Sequence, residues 1–271
     1  MYLILGGTGK TGRKIVQNLS NLKLPFRVGS RQAEIPFSWD DRSNWPKLLR
    51  GVKSIYITYQ PDLAVPGALE AIEELVAIAQ LQKVEHLVLL SGKGEREAEL
   101  CEQVVMHSGI DYTILRASWF NQNFSESFFL GPILEGKVAL PMAQAKVPYV
   151  DTDDIAGVAT KVLTEAQHRQ KLYELTGPDL WTFEEVIQSI AKASQREIDF
   201  TPISIPAYIS IMEQQGVPKD FIWLIQYLFT EVLYAPGNDE ISTDIEKVLG
   251  RPAKSFQSFV RETAAQGVWN P

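Results

Sequence analysis

The chain has 271 residues, of which 45% are hydrophobic and 22% charged, and its formal net charge is −7. This composition is ordinary for a globular protein, fits one large α/β domain or two closely joined ones, and argues against a fibre or an extensively disordered chain. The negative charge, without a cluster of Lys and Arg, argues against a general nucleic-acid-binding role.

The cysteine content and the apolar runs predict the compartment. Cys101 is the single cysteine, so no internal disulfide can form and a reducing, cytoplasmic setting is favoured. No stretch approaches the ~20 apolar residues of a membrane span, and the opening apolar segment is too short for a secretory signal. We therefore expect a cytoplasmic protein with neither a membrane nor a nucleic acid as partner.

Apolar runs and helical stretches alternate in the first half of the chain, which predicts βαβ units and a parallel sheet. The predicted strands cover residues 2–5, 26–30, 54–59, 86–91 and 112–116, and the predicted helices cover 10–22, 65–81 and 96–107. Right-handed crossovers would bring the turns after these strands to one edge of the sheet. The predicted fold class is α/β, a Rossmann-type doubly wound parallel sheet followed by a smaller, mainly helical substrate region.

A glycine-rich turn follows the first strand without a gap and opens a helical stretch. It reads Gly6-Gly7-Thr8-Gly9-Lys10-Thr11-Gly12. In this context Gly6 permits a tight turn, Gly9 lets the backbone approach a pyrophosphate, and Gly12 lets the helix pack on the strand, while the helix N-terminus receives the phosphates. A plain strand-to-helix connection is the alternative. A Walker A loop is excluded, because that pattern requires Lys directly after its second glycine and Gly12 is followed by Arg13.

The end of the second strand indicates which dinucleotide binds. An acidic residue there would bind the ribose 2′-hydroxyl of NAD, whereas Arg would accommodate the 2′-phosphate of NADP. Here the strand ends in Ser30-Arg31, and the first carboxylate that follows is Glu34. NADP(H) is therefore predicted in preference to NAD(H), with Arg31 as a solvated loop cation left open as the alternative.

After about residue 123 the pattern loosens and Gly-Pro pairs separate shorter elements. Helices are predicted over residues 153–163, 182–193, 218–234 and 255–266, the second opened by a Thr182-x-x-Glu185 capping box. We predict a dinucleotide-binding domain over residues 1–123. Residues 124–271 are predicted to form a mixed substrate-binding region that returns elements to the Rossmann sheet.

The segment of residues 221–229 is apolar on nearly all sides. Such a segment is buried in a core, covers a cofactor as a lid, or contacts another chain, as in a homodimer. As a lid it would select flat aromatic acceptors by stacking, with Trp223 as a substrate contact. The three interpretations remain open on the sequence.

Three segments together resemble the NmrA-like group of atypical short-chain dehydrogenases/reductases, which includes quinone reductases, triphenylmethane-dye reductases and festuclavine-dehydrogenase-like proteins. They are the glycine turn, the run SGIDYTILRASWFNQNF over residues 108–124, and YVDTDDIA over residues 149–156. The end of the chain, with Gly250-Arg251-Pro252, Phe256 and Trp269, is similar to the festuclavine-dehydrogenase-like branch.

The resemblance implies that the loops after successive strands contact the cofactor. The implied cofactor contacts are Gly6, Thr8, Gly9, Lys10, Thr11, Gly12, Ser30, Arg31, Thr58, Tyr59, Gln60, Ser91, Gly92 and Lys93. It also implies that residues 117–124 border the nicotinamide and the substrate, with Trp119, Phe120 and Phe124 as substrate contacts. Packing and turn-capping roles are the alternatives for these residues. Asp153 and Asp154 are interpreted as structural, since they stand at a predicted helix start.

The sequence departs from the short-chain dehydrogenase pattern at the catalytic pair. Those enzymes use Tyr-x-x-x-Lys, but none of the nine tyrosines here has Lys four residues later. Hydride transfer without a tuned protein acid suits an electrophilic acceptor such as a quinone, an iminium or a dye. Tyr59, Ser91 and Lys93 are the candidate catalytic residues.

Two functions follow from these observations. The first is an NADPH-dependent oxidoreductase that passes hydride to a small, electrophilic, aromatic or quinone-like acceptor. The alternative is a non-catalytic NAD(P)-binding redox sensor that binds a partner protein, which the missing Tyr/Lys pair would also fit. Other chemistries are disfavoured: His86, His107 and His168 lack metal-ligand spacing, so no metal site is predicted, and Cys101 has no adjacent basic residue.

Overall fold

A computed structural model describes residues 1–270. Its strands, in chain order, are β1 (Tyr2–Leu5), β2 (Phe26–Gly29), β3 (Ser54–Ile57), β4 (His86–Gly92), β5 (Asp111–Ala117), β6 (Lys137–Leu140), β7 (Lys171–Leu175) and β8 (Asp199–Pro202). Six of them form one parallel sheet in the order β2-β1-β3-β4-β5-β7. The other two, β6 and β8, pair in parallel in a separate sheet. The Rossmann-type parallel sheet predicted from the sequence is confirmed.

The helices connect these strands. They are α1 (Gly12–Asn21), α2 (Trp45–Leu48), α3 (Ala68–Leu81), α4 (Arg96–Met106), α5 (Leu130–Glu135), α6 (Thr152–Thr164), α7 (Phe183–Ser194), α8 (Ile205–Gln214), α9 (Lys219–Tyr227), α10 (Asp244–Leu249) and α11 (Phe256–Ala265). A π-helical turn, Leu228–Val232, continues α9. Within residues 1–270, none of the helices combines the length and apolar character that crossing a membrane requires.

The order of the strands fixes where a ligand can bind. The chain passes from β1 to β2 and then crosses to β3 on the other side of β1, so the direction in which successive strands are added reverses between β1 and β3. The carboxyl ends of the strands at such a reversal form the usual ligand crevice of doubly wound folds. All four residues of β3 are buried, as expected for a central strand covered on both faces.

Contacts divide the chain into two compact units, each formed by several segments. Unit 1 comprises Met1–Ala117, Thr152–Leu175 and Asp244–Arg251, and unit 2 comprises Ser118–Asp151, Thr176–Thr243 and Pro252–Pro271. Unit 1 holds the six-stranded sheet, so β7 and the helices α6 and α10 belong to it although they follow residue 123. The division of the chain at residue 123 that the sequence predicts stays a prediction.

Ion pairs hold α6 in unit 1. Lys14 on α1 donates to the Thr152 hydroxyl at 2.7 Å and lies 2.6 Å from Asp153. Asp154, which is buried, lies 2.7 Å from the Arg251 guanidinium just after α10. Each of the two acids therefore has a structural partner in unit 1.

Unit 2 has an aromatic core. Phe124, Phe129, Phe183, Phe229 and Phe256 are almost fully buried. Their rings contact one another edge to face or stacked, with centroids 5–6.5 Å apart in the pairs Phe124–Phe129, Phe124–Phe183 and Phe124–Phe256. The indole nitrogen of Trp269 donates to the Phe124 carbonyl at 2.8 Å, which ties the end of the chain to this core.

Candidate functional site

Backbone conformation and steric contacts explain three of the four glycines in the turn between β1 and α1. Gly6 has φ +63°, and its carbonyl accepts the Gly9 N–H at 2.8 Å. A Cβ on Gly12 would lie 2.2 Å from the Gly6 carbonyl oxygen, and one on Gly7 would lie 2.7 Å from Val28. Thr8 and Gly9 are exposed. The turn therefore packs tightly underneath and presents backbone on its outer side.

The N-terminus of α1 is suited to receive an anion. Its N-cap, Thr11, makes no side-chain capping bond, and its first turn contains no acidic residue. The Thr11 hydroxyl instead accepts a hydrogen bond from the buried Tyr56 hydroxyl at 2.9 Å. The positive end of the helix dipole is thus left for a bound group to neutralise.

The end of β2 places a free cation beside this turn. Gly29 accepts the backbone N–H groups of Gly6 and Gly7, so the two segments lie side by side. Arg31, two residues later, is exposed, and no hydrogen bond or ion pair engages its guanidinium among residues 1–270. The Ser30 carbonyl accepts from Ala33 and Phe37, which fixes the start of this loop. The predicted contact of Arg31 with a 2′-phosphate stays a prediction.

The loop after β3 carries Thr58, Tyr59 and Gln60. The Thr58 methyl lies under Gly6, 2.7 Å from where a Cβ on Gly6 would stand. Tyr59 packs on Trp39, with ring centroids 4.6 Å apart, and belongs to the border of the unit 1 core. Burial raises the pKa of Tyr59, and the nearby Asp40 adds to the effect. Gln60 is exposed.

The carboxyl end of β4 holds Ser91 and Lys93 in polar contacts. The buried Ser91 hydroxyl donates to Glu102 Oε1 at 2.7 Å. Glu102, on α4, is fully buried and also receives Arg116 of β5 through its Nε and Nη2 atoms, at 2.6–3.0 Å. The Lys93 ammonium, almost fully buried, lies 3.1 Å from Glu174 Oε2 on β7.

A pair of carboxyl groups joins the loops after β3 and β4. Asp62 and Glu95 are hydrogen-bonded to each other, and Asp62 also accepts the Ala64 N–H at 2.8 Å. Burial, strengthened by the charge of Asp62, raises the pKa of Glu95 well above its usual range. The Glu95 carboxyl lies directly against Gly92, since a Cβ there would be 1.9 Å from it. Burial raises the pKa of Asp62 as well, so the two carboxyl groups favour a shared proton over two adjacent negative charges.

In unit 2, the segment after β5 presents an aromatic surface. Trp119 and Phe120 are partly exposed, and the Trp119 ring stacks on Phe129 at an interplanar angle of 16°. Phe124 is fully buried in the core, so of the three substrate contacts predicted in this segment Trp119 and Phe120 keep some exposed surface. The backbone of this segment is held by the bond from Asn121 N–H to the Val150 carbonyl, at 2.9 Å.

The apolar segment around Trp223 is mostly core. Ile222, Leu224, Ile225 and Phe229 are buried, as the core interpretation requires. Trp223 is 44% exposed, and its ring stacks on Tyr227, on the same helix, at 5.6 Å. Its predicted contact with substrate stays a prediction.

Sequence reasoning missed three carboxylates of this site: Glu102, Asp62 and Glu95. Glu102 had a readable signal, because it lies on the buried stripe of α4 with Ala98, Cys101 and Val105. A carboxylate on an apolar helix face needs a buried partner. Asp62 and Glu95 lie in loops far apart in sequence, and no local sequence pattern predicts that their side chains pair.

Cys101 is buried beside Glu102 on the same helix. Burial raises the pKa of its thiol to about 12, so the thiolate is disfavoured, which agrees with the lack of an adjacent basic residue in the sequence. Within residues 1–270, no group of three or more His, Cys, Asp and Glu side chains is arranged to hold a metal ion.

The family model described as "NmrA-like family" matches residues 97–256, more than half of the chain. The chain belongs to the NmrA-like family. The resemblance seen in the sequence is thereby confirmed.

Curated relatives align with nearly the whole NmrA-like chain. Prestalk A differentiation protein A of Dictyostelium discoideum is 26% identical over 96% of this chain and 91% of its own length. The NAD(P)H azoreductase of Xenophilus azovorans is 27% identical over 98% of each chain. Festuclavine dehydrogenase easG of Aspergillus fumigatus is 27% identical over 97% of this chain and 98% of its own.

Solved structures share the fold of this NmrA-like protein. An NADPH-dependent quinone oxidoreductase of Escherichia coli, complexed with NADPH, matches with a TM-score of 0.80 and 20% identity, over 97% of this chain and 99% of its own. The Citrobacter sp. triphenylmethane reductase, complexed with NADP(H), matches with a TM-score of 0.78 and 18% identity, over 97% and 100%.

Proposed function

We propose that this NmrA-like protein is an NAD(P)H-dependent oxidoreductase that uses NADPH to reduce a small, flat, electrophilic acceptor such as a quinone, an iminium or a dye. The observation that carries the proposal is the glycine turn. Its backbone is exposed above, closely packed below, and opens directly into a helix whose N-terminus has no capping side chain. This arrangement fits a diphosphate.

The residues present fit an NADPH molecule along the carboxyl edge of the sheet. The turn of residues 6–12 would hold the diphosphate, and Ser30 with Arg31 would hold the 2′-phosphate. Arg31 has no competing carboxylate, and its guanidinium matches a phosphate in geometry and charge. The loops with Thr58 and Ser91 would border the other half of the dinucleotide.

When bound, NADPH supplies the hydride, and the protein's own groups position the reactants and hold charge. Lys93 carries a buried ammonium beside Glu174 at the end of β4, where it can stabilise negative charge on a reduced acceptor. Tyr59 keeps its proton, because burial raises its pKa. An electrophilic acceptor can accept hydride without a dedicated proton donor, which is consistent with the absence of a Tyr-x-x-x-Lys pair.

Unit 2 is proposed to bind the acceptor through Trp119 and Phe120. Their accessible rings favour a flat aromatic molecule, which stacks on aromatic side chains. The similar proteins support an acceptor of this class, since they include an azoreductase, a festuclavine dehydrogenase and a quinone oxidoreductase. We propose that the protein acts in the cytoplasm, the reducing compartment that its single cysteine favours.

The deciding experiment mixes purified protein with NADPH and a panel of quinones, imines and azo or triphenylmethane dyes. We expect steady oxidation of NADPH with at least one acceptor. Arg31→Ala should raise the Kd for NADPH about tenfold and leave that for NADH unchanged, because a charge-assisted phosphate contact is worth about 1.5 kcal/mol. Arg261→Ala, on the surface of unit 2, is the control. Equal affinity for NADH and NADPH in the natural protein would refute the cofactor assignment.

The alternative is a non-catalytic NADP-binding regulator that contacts a partner protein. The exposed stack of Trp223 and Tyr227 favours it, because stacked aromatic side chains open to solvent suit a protein contact. The same assay separates the two functions. Tight NADPH binding with no turnover on any acceptor would support the regulator.

A further inference from the structure

The buried carboxylate Glu102 links two strand ends at the edge where the cofactor is proposed to bind. It accepts the Ser91 hydroxyl from β4 and the Arg116 guanidinium from β5, and none of its surface is exposed. Ser91 and Arg116 are direct neighbours in the register of the two strands. Glu102 therefore acts on Ser91 from a position fixed by an ion pair.

The polarity of the Ser91–Glu102 bond follows from the partners of Glu102. The two-point contact with Arg116, a side chain that stays protonated in proteins, keeps Glu102 as a carboxylate. A carboxylate only accepts hydrogen bonds, so Ser91 must donate its proton to it. The Ser91 hydroxyl is left with oxygen lone pairs, and no donor to that oxygen occurs among residues 1–270. Ser91 is thus preset as an acceptor.

The position of Ser91 indicates which part of the cofactor it would meet, an assignment that rests on the proposed function. With the diphosphate at the turn after β1 and the 2′-phosphate at the end of β2, the rest of the dinucleotide extends the other way, over β3 and β4. That half carries the donors a serine acceptor needs, namely ribose hydroxyls and the carboxamide N–H groups.

We propose that Glu102 is a positioning residue that fixes Ser91 as a hydrogen-bond acceptor for the nicotinamide half of NADPH. Ser91 is then a binding group and no proton donor, which changes the role given to it on the sequence alone. Lys93 and Tyr59 remain the candidate catalytic residues.

Binding of two ligands tests the role of Ser91 without relying on turnover. NADPH and adenosine 2′,5′-bisphosphate share the adenosine 2′-phosphate, but the second lacks the nicotinamide half. Ser91→Ala should weaken NADPH about fivefold, the worth of one hydrogen bond, and leave the bisphosphate within twofold. Thr113→Val, which removes another buried hydroxyl nearer the amino ends of the strands, should change neither. Equal losses for both ligands, or no loss for NADPH, would overturn the proposal.

A double-mutant cycle tests the role of Glu102. Glu102→Gln and Glu102→Asp, the second of which keeps a charge for Arg116, should each weaken NADPH but not the bisphosphate. In the Ser91→Ala background both changes should have no further effect on NADPH, because Glu102 acts through Ser91. Additive losses would overturn the positioning role. If the natural protein bound neither ligand, the proposed function itself would fail, a result distinct from either outcome above.

Discussion

The absence of a Cβ at the single residue Gly12 matters both for the packing of the turn and for the proposed binding of the diphosphate. Its Cβ would lie 2.2 Å from the Gly6 carbonyl oxygen, which is backbone and can yield only if the turn opens. Gly12→Ala should therefore lower the free energy of unfolding by about 2 kcal/mol, and weaken NADPH more than tenfold because the turn widens.

A urea titration and a fluorescence titration with NADPH measure the two effects of this change. Gly131→Ala is the matched control, since Gly131 lies within α5 with open space around it. It should be neutral or stabilise by up to about 1 kcal/mol. Full NADPH affinity in Gly12→Ala would contradict the assignment of the turn as the diphosphate cradle.

Among the helices and strands, the sequence predicts those that have a clear local pattern of apolar residues. The five strands of the first half and the helices α3, α4, α7 and α11 fall within a few residues of their predicted bounds. The capping box of α7 forms as predicted, with Thr182 and Glu185 exchanging both bonds. Local signals suffice here because a cap or a buried strand is specified by neighbours in the chain.

Other elements had no such signal. The strands β6, β7 and β8 were not predicted, because they are short, β7 and β8 are largely exposed, and each is specified by its partner strand. Likewise α9 ends at Tyr227 in a π turn, where continuous helix was expected. Among the candidate site residues, the glycine turn and Arg31 can be proposed from their spacing in the sequence, whereas Asp62 and Glu95 meet only through the tertiary fold. Long-range pairing is not encoded in any one segment.

The ion pair of Asp154 and Arg251 joins two of the segments that carry the family resemblance, residues 149–156 and residues 250–252. Asp154 lies in the first turn of α6 and Arg251 follows α10, and the buried carboxylate depends on the guanidinium. Arg251→Met should lower the free energy of unfolding by about 1–2 kcal/mol, less than for a fully buried pair because Arg251 is 51% exposed.

Chemical denaturation measures this loss, and Arg261→Met provides the same substitution at an exposed site on α11. The control should change stability by less than about 0.5 kcal/mol. Equal, small effects of the two changes would mean that solvent replaces Arg251 at Asp154.

At the scale of the whole molecule, His86 makes stability depend on pH. It is buried at the start of β4, where its Nε2 donates to Thr113 Oγ1 at 2.9 Å, since that hydroxyl gives its own proton to the His168 carbonyl. Burial, with a contribution from Arg169, lowers the pKa of His86 to about 4. An unfolded histidine titrates near 6.5, so only the unfolded chain gains this proton between about pH 6.5 and 4.

The contribution of His86 to stability is therefore complete above about pH 6.5, falls as the pH drops, and is lost by about pH 4. The difference in pKa corresponds to about 3 kcal/mol. Urea unfolding at pH 7, 5.5 and 4.5 should show this loss in the natural protein and a smaller one in His86→Gln, which cannot titrate. His107→Gln, at an exposed position, should keep the natural slope. A slope unchanged in His86→Gln would assign the acid sensitivity to the carboxylates, whose ionised forms would then hold the fold together at neutral pH.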